Sequence, residues 1–583
     1  MRARRRQGRG TRSIFGRSPL SVPRLAPVLA LAATLAAAFL LRGATPARAE
    51  APAPPDRLRA AIETFSIDSL FAHLERLGGD AMAGRGTGTP GGDAAADYLA
   101  ARLREYGLRP MGGDGTYFQR IPMRGSFPLP ESRLEIARGD SIRSLALGDD
   151  YLLYTMGEET HVPKPAPLFF AGYGIVAPEY DYDDYHDRDV EGSIVVFLEG
   201  EPPSEDPDYF AGAFPTIHSH PEWKQRVAIA RGARGSVMIG ARRGPDSPSW
   251  EDRRSDFAFE HVTLPYDVPR NLNVVVREGP ARLLFEQSPH TLEDVALMDR
   301  TGTMRSFPLA ASMSFRGAFR ERDFLASNVI GLLDGRDPLL RETCLVLSAH
   351  YDHLGIGPSV DGDSIYNGVV DNAIGCAGLL EIARVLAVSG RKPLRPILFV
   401  FLTAEEKGLL GARHYALHPA VPLSRTIAAV NLQGLAIFDE FEDVIGIGAE
   451  YSTIEDVLAE TAASFGLEVS AASSEHYVSE AFARSDQFAF AQAGVPSVLV
   501  VDGVRGRRIG EEGMLGSLAA WTRERYHTPF DDLSQPIDRS AVLLHGRVIL
   551  SLAFSLAETY APPQWKAGSE YARARLRSIA EGR

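Results

Sequence analysis

The chain has 583 residues, enough for several domains and too many for one small binding module. Apolar residues make up 45% and charged residues 23%, an ordinary globular composition that excludes disorder, collagen and a multi-span membrane protein as descriptions of the whole. The net charge of −13 includes ten arginines and no acid in the first 49 residues, so the remainder carries −23, which argues against nucleic acid or an anionic membrane surface as a partner. Only two cysteines are present, Cys344 and Cys376, so neither a disulfide scaffold nor a cysteine-based zinc cluster is available, and any metal must be held by His, Asp and Glu.

Arg2, Arg4, Arg5, Arg6 and Arg9 open a basic region, an apolar Ala/Leu run follows over 25–41, and Ala47-Arg48-Ala49 fits the small-x-small rule for signal cleavage. This order predicts a signal peptide over 1–49 and a mature chain from Glu50 that is exported, periplasmic or secreted, with no stable membrane anchor after cleavage. A retained anchor is the alternative, because the apolar run is near the lower limit for spanning a bilayer.

Apolar residues at helical spacing, through Ile62, Ile67, Leu70 and Leu74, predict a helix over 58–77. A glycine-rich stretch over 84–92 then leads to Asp93, a candidate N-cap, and a helix over 94–106. The stretch lacks the Gly-Lys-Ser/Thr ending and the preceding strand that a phosphate loop needs. Between 163 and 304 the texture changes to short β-type runs at 168–175, 193–198 and 236–240, with a helix over 223–230, and this block reads as a separate inserted domain. From 328 onward, strands at 344–349, 397–403, 427–432, 444–447 and 497–501 alternate with helices at 375–388, 408–417, 452–465 and 486–493. That is the pattern of an α/β fold with a mixed, mostly parallel sheet and helices on both faces, whose ligand sites lie at the C-terminal ends of strands.

The chemistry-bearing residues sit at those ends. His350 closes a strand with Asp352 two residues on, which suits a metal ligand oriented by a carboxylate, or an ordinary polar strand end. Asp371 lies in the turn Asn367-Gly368-Val369-Val370-Asp371-Asn372, where a carboxylate can bridge two cations or cap the following helix. The apolar run over 397–402 ends in Thr403-Ala404-Glu405-Glu406, and adjacent carboxylates there are costly unless paired or metal-bound. Their side chains diverge, so one can bind metal while the other stays free as a general base. Asp486 begins a helix, and His527 lies in a turn beside Asp531 and Asp532.

In this order the runs resemble family-28 metallopeptidases, the zinc aminopeptidase family, in the subgroup that carries an inserted protease-associated domain. The matching runs are 84–92, Gly172-Tyr173-Gly174-Ile175, His350-Tyr351-Asp352-His353-Leu354-Gly355, Asn367-Gly368 with Asp371-Asn372, Glu405-Glu406-Lys407-Gly408, Arg484-Ser485-Asp486 and Tyr526-His527-Thr528-Pro529. The resemblance implies a peptidase domain split into 50–162 and 305–583 around a β-rich insert at 163–304. It further implies two zinc ions that share Asp371, one also held by Glu406 and His527 and the other by His350 and a further acid. Glu405 falls on the base that deprotonates the attacking water, while Asp352 and Asp486 fall behind the ligands as their supports.

The further acid is where the chain departs, because the run reads Asn431-Leu432-Gln433-Gly434 and Gln433 offers only a neutral amide oxygen, a poor zinc ligand. Asp439 and Glu440 substitute only if their loop folds back. The implied activity is an exported zinc-dependent exopeptidase, an aminopeptidase that releases N-terminal residues from peptide or protein substrates. Two alternatives stay open: a single-zinc acyltransferase like the glutaminyl cyclases, and a catalytically impaired receptor homologue.

Overall fold

The computed structural model describes residues 56–155, 160–186, 188–204, 206, 209–210, 216–240, 249–266, 271–388, 390, 392–470, 482–569 and 571–582; the expected signal peptide over 1–49 lies outside them. In chain order, the strands of the main sheet are β1 (Arg109–Pro110), β2 (Phe118–Pro128), β3 (His261–Thr263), β4 (Phe319–Leu333) and β5 (Cys344–His350). They continue with β6 (Ile397–Leu402), β7 (Thr426–Asn431), β8 (Asp443–Ile447), β9 (Glu468–Val469) and β10 (Ser497–Asp502). Their spatial order is β3-β2-β4-β6-β5-β7-β10-β8-β9, with β1 paired to β4. The centre is parallel, β5 lying between β6 and β7, and β7 beside β10, while β4 and β8 run antiparallel to the strands they flank.

Every residue of β5, β6 and β7 is buried, as expected for strands covered on both faces. Side-chain alternation divides them between two cores. Leu345, Leu347, Ala349, Phe399 and Phe401 face one side, together with helices Ile374–Val388 and Arg539–Ala557. Cys344, Val346, Leu398, Val400 and Leu402 face the other, against helices Leu410–Leu417 and Gln487–Gln492. Among the described residues, Arg539–Ala557 alone is long and apolar enough to cross a membrane, and its burial in the core accounts for that composition.

A second sheet of eight strands runs in the order Ser141–Leu145, Arg133–Arg138, Phe307–Arg316, Val162–Phe170, Ile194–Leu198, Gly235–Gly240, Leu272–Arg277 and Tyr151–Thr155, around a core of its own. Its chain enters between β2 and β4 of the main sheet and lends β3 back to it, so the two sheets are joined by pairing as well as by covalent links. The strand expected over 168–175 stops at Phe170, because Gly172 (φ 54°) and Gly174 (φ 74°) turn the chain through conformations that end a strand.

Two expected helices are corrected at their ends. The helix over 58–77 is two, Asp56–Glu63 and Ile67–Gly78, with Ser66 extended between them. Ser66 caps the second helix by accepting from Ser69 N, and its own N–H donates at 2.6 Å to Glu381 of helix Ile374–Val388. The helix over 94–106 begins at Pro90, capped by Thr89 rather than Asp93, because proline at the first turn has no N–H to leave unsatisfied.

Helix Arg539–Ala557 also fixes a loop that follows the site strand β7. His545 Nδ1 accepts from Ala436 N at 2.9 Å and Nε2 donates to Val500 O at 3.2 Å, which requires a neutral ring. Burial holds this imidazole down to about 4. Since that lies below its unfolded value near 6.5, the folded chain binds fewer protons, and the stability involved is complete above about pH 6.5 and lost as the pH falls towards 4. The loss reaches about 3 kcal/mol at the acid end. Replacing His545 by Asn is expected to make the fall in melting temperature between neutral pH and pH ~4.5 shallower than in the parent chain.

Candidate metal centre

The ends of β5, β6 and β7 carry the polar residues into one place. β5 finishes at His350. After β6, Ala404 takes φ 56°, an uncommon conformation for a residue with a Cβ, and this turn sends Glu405 and Glu406 in different directions. Asp371 stands in the turn before helix Ile374–Val388, and His527, also at φ 56°, follows helix Gly510–Glu524. Gln433 lies two residues beyond β7.

Four of the expected ligands meet. His350 Nε2 stands 3.3 Å from Asp371 Oδ1, while His527 Nε2 stands 3.5 Å from Asp371 Oδ2 and 3.1 Å from Glu406 Oε2. Ligand atoms of His350, Asp371 and Glu406 all lie within 4.8 Å of one another. Yet His350 Nε2, His527 Nε2 and Asp371 Oδ1 are buried with no hydrogen-bond partner among the described residues. Converging donors that do not satisfy each other are what a divalent cation satisfies, and two imidazoles with carboxylates suit zinc. The residues present therefore fit the metal.

The electrostatics agree. Burial would push His527 down, but Glu406 and Asp371 raise it to about 10; in the same way Glu405 and Asp371 overcome burial and lift His350 well above its ordinary value. Glu406 is held well below the carboxylate range, against burial, by His527 and His353, and Asp371 is lowered by both imidazoles despite burial and Glu406. Without metal the two imidazolium rings occupy the electrostatic place of cations, so metal binding must release protons. Glu405 is the opposite case, raised well above the usual range, chiefly by burial.

The supports differ in part from the expected ones. Asp352 does not hold His350 through its carboxylate, which is 3.9 Å away; the imidazole Nδ1 donates instead to the Asp352 carbonyl at 3.2 Å. The carboxylate accepts from Glu405 N and from Thr87 Oγ1, both at 3.1 Å. His353 orients Glu406 through a 2.8 Å contact from Nδ1 to Oε1, a role the sequence reading passed over although the residue lies in the same run as His350. Asp531 accepts from Val370 N and Asp371 N, each at 3.0 Å, and so fixes the backbone at Asp371. Asn372 clamps the facing loops by donating to Leu432 O and accepting from Gly434 N.

The glycine-rich stretch serves these loops too. A Cβ on Gly84 would fall 2.4 Å from the carbonyl oxygens of Gly355 and Tyr366, so only glycine permits the approach. Beside it Arg85, fully buried, donates to the carbonyls of Leu77, Tyr351, Asn367 and Gly368 at 2.6–2.8 Å.

Gln433 reaches the site through Nε2, which donates to Glu405 Oε1 at 3.3 Å, while its buried Oε1 has no partner among the described residues. Asp439 and Glu440 turn away and pair with Arg508 and Arg507, at 2.6 and 2.5 Å. Asp486 is fully buried and pushed up to about 7 by that burial. Cys344 and Cys376 are free buried thiols, and Cys376 Sγ donates to His350 O at 3.0 Å. At the rim, Phe259 from the second-sheet segment packs edge-on against Tyr366 and under the Lys407 ammonium.

Residues 328–553, which hold every member of the cluster, match the model of Peptidase family M28. The fold is similar to that of an aminopeptidase from Aneurinibacillus sp. strain AM-1, with a TM-score of 0.51, 19% identity, and coverage of 85% of this chain and 95% of that one. Among curated proteins, a vacuolar membrane protease of Verticillium alfalfae is 34% identical over 90 residues, 15% of this chain and 8% of that protein. Endoplasmic reticulum metallopeptidase 1 of Mus musculus is 28% identical over 127 residues, 22% of this chain and 13% of that protein. The chain thus spans less than a fifth of the length of these curated relatives.

These relatives overturn the expected exported, periplasmic or secreted location, since their names place them at the vacuolar membrane and the endoplasmic reticulum. The same finding removes the ground for expecting no membrane anchor. An arginine-rich segment followed by an apolar run is common to cleaved leaders and retained anchors, so that pattern did not separate them.

Arg85→Met keeps the length of the side chain and removes all its donors, leaving buried carbonyls unsatisfied. The expected loss is at least about 3 kcal/mol, read as a lower urea midpoint at unchanged slope.

Proposed function

We propose that the chain, whose residues 328–553 match the model of Peptidase family M28, is a zinc-dependent metallopeptidase that releases N-terminal residues from peptides or proteins. The convergence of His350, Asp371, Glu406 and His527 beside a separate acid, Glu405, carries this reading. Asp371, Glu406 and His527 would hold a zinc, which when bound would lower the pKa of a water towards neutrality and polarise the scissile carbonyl.

The chain's own residues do the rest. Glu405 is fixed from behind, its N–H bound to Asp352, so its carboxylate is presented without being tied to another acid. Burial raises its proton affinity, and a carboxylate of that kind takes the proton from the attacking water and returns it to the leaving amine. The Gln433 amide holds one Glu405 oxygen in place, and His353 holds Glu406 at its metal-facing angle. We read the eight-stranded unit as a protease-associated insert whose Phe259 segment borders the site.

Glu405→Gln is expected to keep its zinc while hydrolysis of a mixed peptide panel falls by roughly 100-fold or more. Mass spectrometry of the products separates single-residue release from pyroglutamate formation on N-terminal Gln peptides; cyclisation alone, or hydrolysis undiminished in the variant, contradicts the reading. His353→Ala is expected to weaken zinc binding by about 10–100-fold, measured by competition with a chromophoric chelator.

A further inference from the structure

The rim of this acidic centre carries a cation without a counter-ion. Lys407 follows Glu406 directly in the chain and is half-buried. Its ammonium stands 5.6 Å from the centre of the Phe259 ring, and among the described residues it has no hydrogen bond or ion pair. The neighbouring anions are engaged elsewhere. Glu406 lies 2.8 Å from His353 and 3.1 Å from His527, Asp352 accepts from Glu405 N and Thr87 Oγ1, and Glu260 takes the Arg322 guanidinium on both oxygens, at 2.8 and 2.5 Å. Burial lowers the proton affinity of Lys407, and these three carboxylates act against that from a distance, Glu406 most. An ammonium short of water and without a partner is poorly compensated, and an anion from outside the chain would complete it.

The segment that enters from the second sheet holds this place in shape. Phe259 is buried and packs edge-on to Tyr366, with ring centres 4.9 Å apart. Glu260 is fixed by Arg322, whose Nη1 also donates to Gly88 O at 2.7 Å. His261 pairs with Ser126 in the β3/β2 register, and burial together with Lys407 holds its imidazole down to about 4, so it is neutral at physiological pH. With Glu260 neutralised and His261 uncharged, the uncompensated charge on this wall is that of Lys407. A carboxylate entering here meets that charge in a partly dehydrated setting, where a charge-assisted hydrogen bond is strong. Neighbouring Cα atoms are about 3.8 Å apart and three extended residues span about 10 Å, so only a carboxylate within a few residues of the scissile bond can reach Lys407 while that bond lies at the metal.

We propose that Lys407 selects substrates that carry a carboxylate close to the scissile bond, an acidic side chain or the free C-terminus of a short peptide, which its ammonium binds beside Phe259. This rests on the metallopeptidase reading and goes beyond it by naming a class of substrate and the residue that recognises it.

The test uses the full-length, zinc-loaded chain and matched peptides. In one arm Glu is moved through the first three residues, each peptide paired with its Gln counterpart; in the other, dipeptides and tripeptides have a free or an amidated C-terminus. In the parent, kcat/KM for the acid is expected to exceed that of its neutral counterpart about 10-fold in at least one pair, with the difference carried by KM and shrinking as salt is raised. The arm in which it appears tells a side-chain carboxylate from a terminal one. In Lys407→Met, which keeps the apolar stem beside Phe259, the ratio should fall to about one, and in Lys407→Glu below one; Lys407→Gln carries the same expectation as Met should that variant not fold. A parent that hydrolyses the peptides with no preference in any pair, or a neutral variant that keeps the parent's ratio, overturns the assignment and leaves the peptidase reading intact. A parent that hydrolyses none of the peptides overturns that reading first.

Discussion

Burying carboxylates without compensation is prohibitive, and this chain buries six around one point: Asp352, Asp371, Glu405, Glu406, Asp486 and Asp531. Much of the local architecture is the answer to that charge. Backbone N–H groups of Val370, Asp371 and Glu405 point into carboxylates, and the imidazoles of His350, His353 and His527 approach two of the acids, Asp371 and Glu406. Near Asp531, Asp352 and Asp371 lies the Arg85 guanidinium, whose hydrogen bonds all go to carbonyls; burial lowers its proton affinity and these carboxylates act against that. What this inventory leaves unmatched is a set of orphaned donors at the centre, and a divalent cation closes the balance.

This arrangement makes the first hundred residues of the described chain part of the site. Arg85 and Thr87 lie outside the stretch 328–553 that matches the family, yet one braces the loops carrying Tyr351 and Gly368 and the other holds Asp352. The path between is long, since the second sheet intervenes. Strand pairing of β2 with β4 brings the two ends of that excursion back together in an unbroken eleven-residue register, which ties the N-terminal braces to the sheet that carries the cluster.

The strands and helices of the catalytic half were legible because their signals are local: continuous apolar runs make buried parallel strands, and helical periodicity fills the segments between. The clustering of His350, Asp371, Glu406 and His527 was legible for a related reason, since strand ends have only a few positions at which side chains can converge. What escaped depends on partners far along the chain. The break at Ser66 is stabilised by Glu381, the role of Arg85 by loops near 351 and 368, and that of His353 by Glu406. A buried arginine with four carbonyl partners has no signature among its neighbours in sequence. Asp439 and Glu440 show the converse, two acids at suggestive spacing whose partners, Arg508 and Arg507, lie on a distant loop. The N-terminus failed differently, because one charge pattern serves two fates.

Gln433 is best understood by what it does to Glu405 rather than by what it fails to do for metal. Its amide donates to Glu405 Oε1 at 3.3 Å, a bond that a carboxylate at the same position would replace with repulsion between like charges. A hydrogen bond to the ionised form favours that form, so the amide partly offsets the burial that drives Glu405 towards protonation. Neutrality at residue 433 therefore keeps one negative charge away from Glu405.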